Sequence, residues 1–246
     1  GRMVLGIGRG DSALFNIGRR PAPLPQFQDY VCQLQRYLRG ERFELNHYPS
    51  EIRWLAKCSQ SKVPVEIAGT GPKVLAFAAT HVERVSLAMG ADLTRLEWAV
   101  QHICSHENAQ SLSIGAYINV CVCDERQQAI EMVRAGVGTF AHFSGMKGAM
   151  TGTPARDHDV FQSIEQGYDK SKHGSSESQH AQALPNEFIE RFAITGSPQS
   201  CIEKLRAITA LGIERLIIIG PNLAEFPEAA RESRARFVNE VLPHIQ

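Results

Sequence analysis

The sequence predicts an α/β fold in which helices cover a parallel sheet. Short apolar runs alternate with amphipathic segments along the chain, and glycines follow several of those runs. Alternation of this kind is typical of strand-helix units that pair in parallel. With 246 residues, 43% of them hydrophobic, the chain can bury one sizeable core, so we predict a single domain over residues 1–246.

The predicted elements follow one another as strand-helix units. Five strands are predicted, over residues 3–8, 63–68, 84–89, 112–122 and 213–219. Helices are predicted over residues 25–38, 72–81, 93–104, 125–135, 198–211 and 226–241. Pro72 suits a first helical position, and Asp124 is the expected cap of the helix after the fourth strand. Between residues 136 and 187 the pattern lapses into small and polar residues, which predicts an insertion or lid with a disordered part over residues 175–182.

The composition argues against several classes of partner. Lys plus Arg and Asp plus Glu both total 26, so the net charge predicts neither nucleic-acid nor anionic-membrane binding. No apolar run is long enough to span a bilayer. The six cysteines are expected to be reduced and mostly buried, with the cytoplasm as the default compartment. Neither Cys121 with Cys123 nor His102 with His106 has partners at ligand spacing, so no metal site is predicted.

Residues 63–72 form the most informative stretch, because a short strand runs through Gly69, Thr70 and Gly71 directly into a helix. A helix start leaves backbone N–H groups without internal partners and carries partial positive charge. Glycines let an anion approach the backbone closely. The stretch therefore predicts a phosphate site, although a plain strand-to-helix turn has the same local pattern.

The first predicted strand also ends in glycines, Gly6, Gly8 and Gly10, which Asp11 follows. Such an exit lets a planar ring or a substrate lie against the backbone. Asp11 could supply a proton there, or it could cap a helix. The stretch lacks the glycine spacing and the acidic partner of a dinucleotide-binding fingerprint.

The predicted lid carries side chains that suit substrate contact. His142 and His173 are the first candidates, and Tyr168 and Lys172 share their position. Three apolar side chains of the lid either line the pocket or pack in the core: Phe140, Phe143 and Met146.

Several of these stretches resemble one family. The motif GIGRGDS at residues 6–12, with RRPA at 19–22 and LRGE at 38–41, resembles the middle of the luciferase-like monooxygenases. VPVEIAGTGP at 63–72 resembles the strand and phosphate-binding turn of that family, and RFAITGSP at 191–198 resembles the stretch before its last barrel unit. GYD at 167–169 and KHG at 172–174 resemble its deazaflavin-type members. The match is strongest to the subgroup that resembles methylenetetrahydromethanopterin reductase.

The resemblance implies a (β/α)8 barrel of the TIM type that binds FMN or an 8-hydroxy-5-deazaflavin coenzyme. Hydride would move between the ring and a small organic substrate at the carboxyl ends of the strands. The residues implied for cofactor binding are Gly8, Gly10, Ala68, Gly69, Thr70, Gly71, Met89 and Gly90. Asp11 is the implied proton donor, and Tyr168 and His173 are the expected substrate contacts. A homodimer is expected because related barrels are often dimers.

The family's barrel has three strand-helix units before the segment that matches residues 3–8. The sequence is therefore expected to be a partial chain in which the last five units are visible, and another chain could supply the rest. Three functions stay open: a flavin- or deazaflavin-dependent oxidoreductase, a non-catalytic barrel fragment that binds a phosphorylated ligand or a partner chain, and a barrel lyase or isomerase. The nearest carboxylates for the third are Glu66 and Asp11. The first is the predicted function.

Overall fold

The computed structural model describes residues 2–107 and 109–245, which form an α/β fold around a parallel sheet. The strands are β1 (Leu5–Ile7), β2 (Phe43–Leu45), β3 (Tyr48–Ser50), β4 (Val65–Gly69), β5 (Arg84–Leu87), β6 (Ser113–Val122), β7 (Ile194–Gly196) and β8 (Arg215–Ile219). The α-helices are α1 (Ser12–Phe15), α2 (Leu24–Leu38), α3 (Arg53–Ala56), α4 (Pro72–His81), α5 (Leu93–Cys104), α6 (Arg126–Gly145), α7 (His158–Gly167), α8 (Gln179–Gln182), α9 (Asn186–Phe192), α10 (Pro198–Thr209) and α11 (Pro227–Arg236). A π-helical turn, Phe237–Val241, continues α11.

Within the residues described, the main sheet has six parallel strands, one more than predicted. Its order is β1-β4-β5-β6, and both β7 and β8 pair with β6. The other two strands, β2 and β3, form an antiparallel hairpin. All five predicted strands are present, and the prediction missed β7, β2 and β3, each of which is only three residues long.

The two faces of the main sheet differ in character. Ile67 and Val85 lie on the face that the helices cover, and both are fully buried in the larger core. Side chains alternate along a strand, so Glu66, Tyr117 and Arg215 lie on the opposite face. This second face is polar and borders the candidate site.

Helix α6 begins with a different cap and ends ten residues later than predicted. The Oε2 atom of Glu125 accepts the backbone N–H of Gln128 at 2.9 Å, so Glu125 is the capping side chain. Asp124, the predicted cap, instead forms an ion pair with Arg236 at 3.0 Å.

Close packing explains why the helical pattern in the sequence lapses after residue 135. An added Cβ at Gly136 would overlap the Oδ1 atom of Asn119, and one at Gly145 would lie 2.6 Å from the carbonyl oxygen of Phe161. Helix α6 therefore needs small residues where a solvent-facing helix would alternate large and polar ones. The lapse marks a tightly packed helix rather than its end.

The rest of the long segment is largely helical and has its own core. The rings of Phe161 and Phe188 meet edge to face at 5.4 Å, and Phe188 stacks on Phe192 at 5.2 Å. The prediction of disorder over residues 175–182 was wrong, because Ser178 caps α8 and both Ser178 and His180 are buried. Serines in this stretch act as turn and cap residues.

Two further expectations concern the cysteines and the membrane-spanning helices. All six cysteines are free thiols, but only Cys121 and Cys201 are buried, so the expectation of mostly buried cysteines was wrong. None of the helices described is long and apolar enough to cross a membrane.

Candidate active site

The parallel pairing of β1 with β4 brings the two glycine-rich strand exits together. Ile7 lies opposite Ile67, so the loops that follow these residues lie side by side. They enclose a cleft of about 290 Å³. Six predicted residues line it: Gly8, Gly10, Asp11, Ala68, Gly69 and Thr70. Phe143 and Met146, from the end of α6, line its opposite side.

A second cleft adjoins the first on the polar face of the sheet. It measures about 310 Å³, and Gly8 and Ala68 belong to both clefts. An added Cβ at Gly6 or Gly8 would have no protein atom within 4 Å. The glycines therefore leave open space beside the backbone, which a flat ligand can occupy. The combined volume is within the usual range of small-molecule sites.

The turn between β4 and α4 has the geometry of an anion site. Gly71 is the cap residue of α4, Pro72 is its first residue, and no side chain caps this helix end. The hydroxyl of Thr70 donates to the carbonyl of Phe143 at 3.2 Å and so does not satisfy the turn. The positive end of a ten-residue helix therefore lies beside the cleft.

Three predicted cofactor positions lie outside the lining of this cleft. Gly71 lies beneath the chain at Ala149, whose Cα would be 3.3 Å from an added Cβ. Met89 is fully buried in the core, and an added Cβ at Gly90 would lie 2.7 Å from the ring of Phe192. Met89 follows Val85 and Leu87 at two-residue spacing and so lies on the same buried face, although β5 ends at Leu87. The structure thus does not place Met89 and Gly90 beside the cleft.

Asp11 is the most strongly engaged side chain of the cleft, and its side chain is only 11% exposed. Its Oδ1 accepts a hydrogen bond from the ammonium of Lys170 at 2.8 Å, and its Oδ2 accepts one from the hydroxyl of Ser12 at 3.1 Å. Burial raises the pKa of Asp11, but Lys170, His142 and Ser12 together bring it below its ordinary value. Asp11 precedes α1 without forming a side-chain cap, so the alternative of a capping role is not favoured.

His142 lies against Asp11 without forming an ion pair at neutral pH. Its Nε2 is 3.4 Å from Oδ2 of Asp11, and its Nδ1 is 3.8 Å from Oε2 of Glu165. The ring stacks on Tyr168 with centroids 3.7 Å apart. Burial lowers the pKa of His142 to about 4, against the opposing charge of Asp11, and burial raises the pKa of Tyr168 to about 12. Both side chains are therefore neutral at pH 7.

His173 completes a hydrogen-bonded chain from Asp11 to the protein surface. Its Nδ1 lies 2.9 Å from the hydroxyl of Ser12 and 2.5 Å from the hydroxyl of Tyr168. Ser12 is buried and itself donates to Asp11, whereas His173 is exposed. The predicted substrate residues Tyr168 and His173 are thus brought together beside the predicted catalytic residue.

Glu66, the other predicted carboxylate, is already paired. Its Oε2 lies 3.1 Å from Nη1 of Arg215, and Ser86 donates to its Oε1. Among the residues described, no group of three or more His, Cys, Asp or Glu side chains is arranged to hold a metal ion.

The sequence predictions missed three residues at the site, Lys170, Ser12 and Arg9. Lys170 and Ser12 meet Asp11 in space, yet Lys170 is 159 positions away along the chain, where no spacing rule operates. Arg9 also lines the cleft, and its Nε donates to the carbonyl of Ala22 at 2.7 Å. Arg9 was the one of these residues that the sequence could have indicated, because it is the cation among the glycines of residues 6–10.

The sequence model of the luciferase-like monooxygenases matches residues 1–215. The chain belongs to the luciferase-like monooxygenase family. The predicted family is therefore confirmed, and so is the enzyme class in its coarse form, since the family is one of monooxygenases.

Solved structures similar to this luciferase-like chain agree with the predicted fold class. The coenzyme F420-dependent tetrahydromethanopterin reductase from Methanopyrus kandleri matches with a TM-score of 0.67 and 18% identity, over 100% of this chain and 75% of that one. An F420-dependent secondary alcohol dehydrogenase, solved with an F420-acetone adduct, matches with a TM-score of 0.70 and 16% identity, over 100% and 70%. The oxygenating constituent of 3,6-diketocamphane monooxygenase from Pseudomonas putida, solved with FMN, matches with a TM-score of 0.58 and 16% identity, over 99% and 71%. The likeness confirms the predicted barrel-type α/β fold.

Proposed function

We propose that this luciferase-like protein is an oxidoreductase that transfers hydride between a bound flavin or deazaflavin coenzyme and a small organic substrate. One observation carries the proposal: the nearly buried carboxylate of Asp11 and the uncapped N-terminus of α4 meet in one cleft. The cleft lies at the carboxyl ends of β1 and β4, where barrel enzymes bind their ligands. Two similar structures are named as F420-dependent enzymes and a third holds FMN, which supports this class of coenzyme.

The residues of the two clefts fit a phosphorylated, flat coenzyme. The backbone at Gly69 and Thr70 and the positive end of α4 would hold the phosphate, with the guanidinium of Arg9 in the same cleft. The open space beside Gly6 and Gly8 would hold the ring. We expect either FMN or an 8-hydroxy-5-deazaflavin coenzyme to bind there.

The coenzyme would supply hydride chemistry when bound, and the chain would supply orientation, water exclusion and proton handling. Phe143 and Met146 line one side of the cleft and would limit the access of water to a bound coenzyme. Asp11 is held as a carboxylate by Lys170, so we propose that it accepts a proton from the substrate, whereas the sequence had suggested a proton donor. Tyr168 and His173 would contact the substrate.

A titration of the purified 246-residue chain tests the proposal. FMN and the deazaflavin coenzyme are added separately, and binding is followed by fluorescence and by native mass spectrometry. We expect saturable binding of one equivalent per chain and a clear preference for one coenzyme. A soluble, folded chain that binds neither would contradict the proposal.

The mass measurement also tests a homodimer, which we propose alongside the function. Met3, Phe15 and Ile17 are 73%, 52% and 66% exposed, and exposed apolar side chains of this size favour a covered surface. A monomeric mass at micromolar concentration would contradict the dimer without affecting the coenzyme proposal.

The non-catalytic alternative requires only the turn before α4. A fragment that binds a phosphorylated ligand would use Gly69 and Thr70 and would not need an ionised Asp11. Asp11→Asn distinguishes the two functions. It should leave coenzyme binding intact in both cases, but it should reduce turnover only if the protein is an enzyme.

A further inference from the structure

Arg95, in the first turn of α5, is a buried cation that the proposed mechanism does not use. Its side chain is almost completely enclosed, with 1% of the residue exposed. Burial lowers its pKa to about 10, against the opposing charges of Asp92 and Asp157, so it remains charged at neutral pH. Burying a charge is costly unless partners compensate for it, and such a residue therefore calls for an explanation.

The hydrogen bonds of Arg95 are incomplete within the residues described. Its Nη2 donates to the carbonyl of Ala149 at 3.0 Å, while Nε and Nη1 are buried without a hydrogen-bond partner. The guanidinium also lies over the ring of Phe161, 5.2 Å from its centroid. The Ala149 carbonyl is thus the one hydrogen-bond acceptor that holds Arg95 in place.

The nearby carboxylates are engaged by other arginines. Asp92 pairs with Arg156 at 2.9 Å, and Asp157 pairs with Arg191 at 2.5 Å. Three guanidinium groups therefore share two carboxylates in this cluster, and the buried member is Arg95. One positive charge of the cluster remains without a carboxylate of its own.

The turn that Arg95 holds covers the predicted phosphate site. An added Cβ at Gly71 would lie 3.0 Å from the carbonyl oxygen of Gly148 and 3.3 Å from the Cα of Ala149. Gly71 is the cap residue of α4. Contacts therefore lead from the guanidinium, through the turn at Ala149, to Gly71 at the start of α4, which directly follows Gly69 and Thr70 of the cleft lining.

We infer that Arg95 is a positioning residue of the phosphate site: its guanidinium fixes the turn at Ala149 against Gly71 and keeps an uncompensated positive charge behind the turn. The inference rests on the proposed function, because it assigns Arg95 to the phosphate of the coenzyme and not to its ring. A buried charge acts on an anion through a low-dielectric interior, where its effect is larger than at the surface.

The test compares two pairs of ligands that differ in phosphate content. FMN is compared with riboflavin, and the deazaflavin coenzyme with its phosphate-free 8-hydroxy-5-deazariboflavin, by fluorescence titration. We expect Arg95→Met to weaken binding of the phosphorylated member about tenfold or more, with a much smaller change for the other member. Equal weakening of both members, or no weakening, would overturn the inference and leave Arg95 a purely structural residue.

Arg156→Met is the matched control. It removes a positive charge from the same cluster. The side chain of Arg156 is 53% exposed, however, and it forms no hydrogen bond with Ala149. Arg156→Met keeps the hydrogen bond from Arg95 to Ala149, so its ligand discrimination should be closer to that of the wild type than the discrimination of Arg95→Met is. If Arg95→Met does not fold, Arg95→Lys and Arg95→Gln take its place, and lysine should retain more of the phosphate preference than glutamine.

A separate readout keeps failure of the inference distinct from failure of the proposed function. If the wild type binds neither coenzyme, the proposed function fails, and inorganic phosphate is then titrated into ¹⁵N-labelled protein. The amide signals of Gly71 and Ala149 should shift in the wild type and not in Arg95→Met. Absence of these shifts in the wild type would overturn the inference as well.

Discussion

The ammonium of Lys170 lies 2.8 Å from the Oδ1 of Asp11, across 159 positions of the chain. This ion pair joins the segment after α7 to the loop after β1, and the two side chains are only 27% and 11% exposed. The segment predicted as a lid thereby contributes a charge to the candidate active site. The proton state of Asp11 therefore depends on a residue far along the chain from the loop that carries it.

Lys170→Met should raise the pKa of Asp11. The lost hydrogen bond and charge currently oppose burial, which by itself favours the neutral acid. The measurement is a ¹³C NMR titration of the Asp11 carboxyl carbon. Lys172→Met is the matched control, because Lys172 is exposed and is not among the groups that bond to Asp11. An unchanged titration in Lys170→Met would show that Asp11 is ionised for another reason.

The ion pair between Asp11 and Lys170 should make the protein less stable in acid. The pKa of Asp11 is below its ordinary value of 3.8, so its contribution is present above that value and is lost as the pH falls through the folded-state pKa. Chemical denaturation at several pH values below 5 should therefore show a smaller pH dependence for Lys170→Met than for the wild type. If the unfolding free energies of the two proteins changed with pH in parallel, the Asp11–Lys170 pair would not be the cause of the acid sensitivity.

His142 should make the folded protein progressively less stable as the pH falls from about 6.5 to about 4. Its pKa falls from an ordinary 6.5 to about 4, so the unfolded chain takes up a proton in this window and the folded chain does not. At about 1.4 kcal/mol per pKa unit the effect is of the order of 3 kcal/mol. His142→Phe keeps a ring against Tyr168 and should flatten the unfolding free energy across this window. His244→Gln, at an exposed position, is the matched control.

Gly8→Leu should weaken coenzyme binding without destabilising the protein. No protein atom lies within 4 Å of an added Cβ at Gly8, so the new side chain would occupy the space proposed for the ring. Thermal unfolding and fluorescence titration measure the two effects separately. Gly167→Leu is the control, since an added Cβ there is also unobstructed and Gly167 does not line either of the two clefts. Equal binding by Gly8→Leu and the wild type would place the ring elsewhere.

Asp11→Asn should lower turnover about a hundredfold or more while coenzyme affinity stays within a few fold. The amide is close in size to the carboxylate but cannot accept the proton of the substrate. Steady-state kinetics with any substrate that the wild type accepts gives the comparison. Asp11→Glu should recover part of the activity, because it restores a carboxylate near Lys170. Wild-type turnover in Asp11→Asn would remove Asp11 from the mechanism.

The sequence predicted those parts of the site in which local pattern determines local structure. The apolar run of β4, its glycines and Pro72 fix the strand, the turn and the helix start, and α4 has the predicted bounds. Short elements such as β7 escaped because three residues define no period. The ion pair of Asp11 with Lys170 escaped because it depends on how α7 and the turn after it pack. Met89 was assigned to the cleft from the family resemblance, whereas the alternation of side chains puts it on the buried face with Val85 and Leu87.

A crystal structure of the chain with whichever coenzyme it binds more tightly would show directly where the coenzyme lies. We expect the phosphate at the backbone of Gly69 and Thr70, at the start of α4, and the ring beside Gly8 within reach of Asp11. A phosphate or ring bound away from both strand exits, with these loops in the conformation described here, would contradict this expectation.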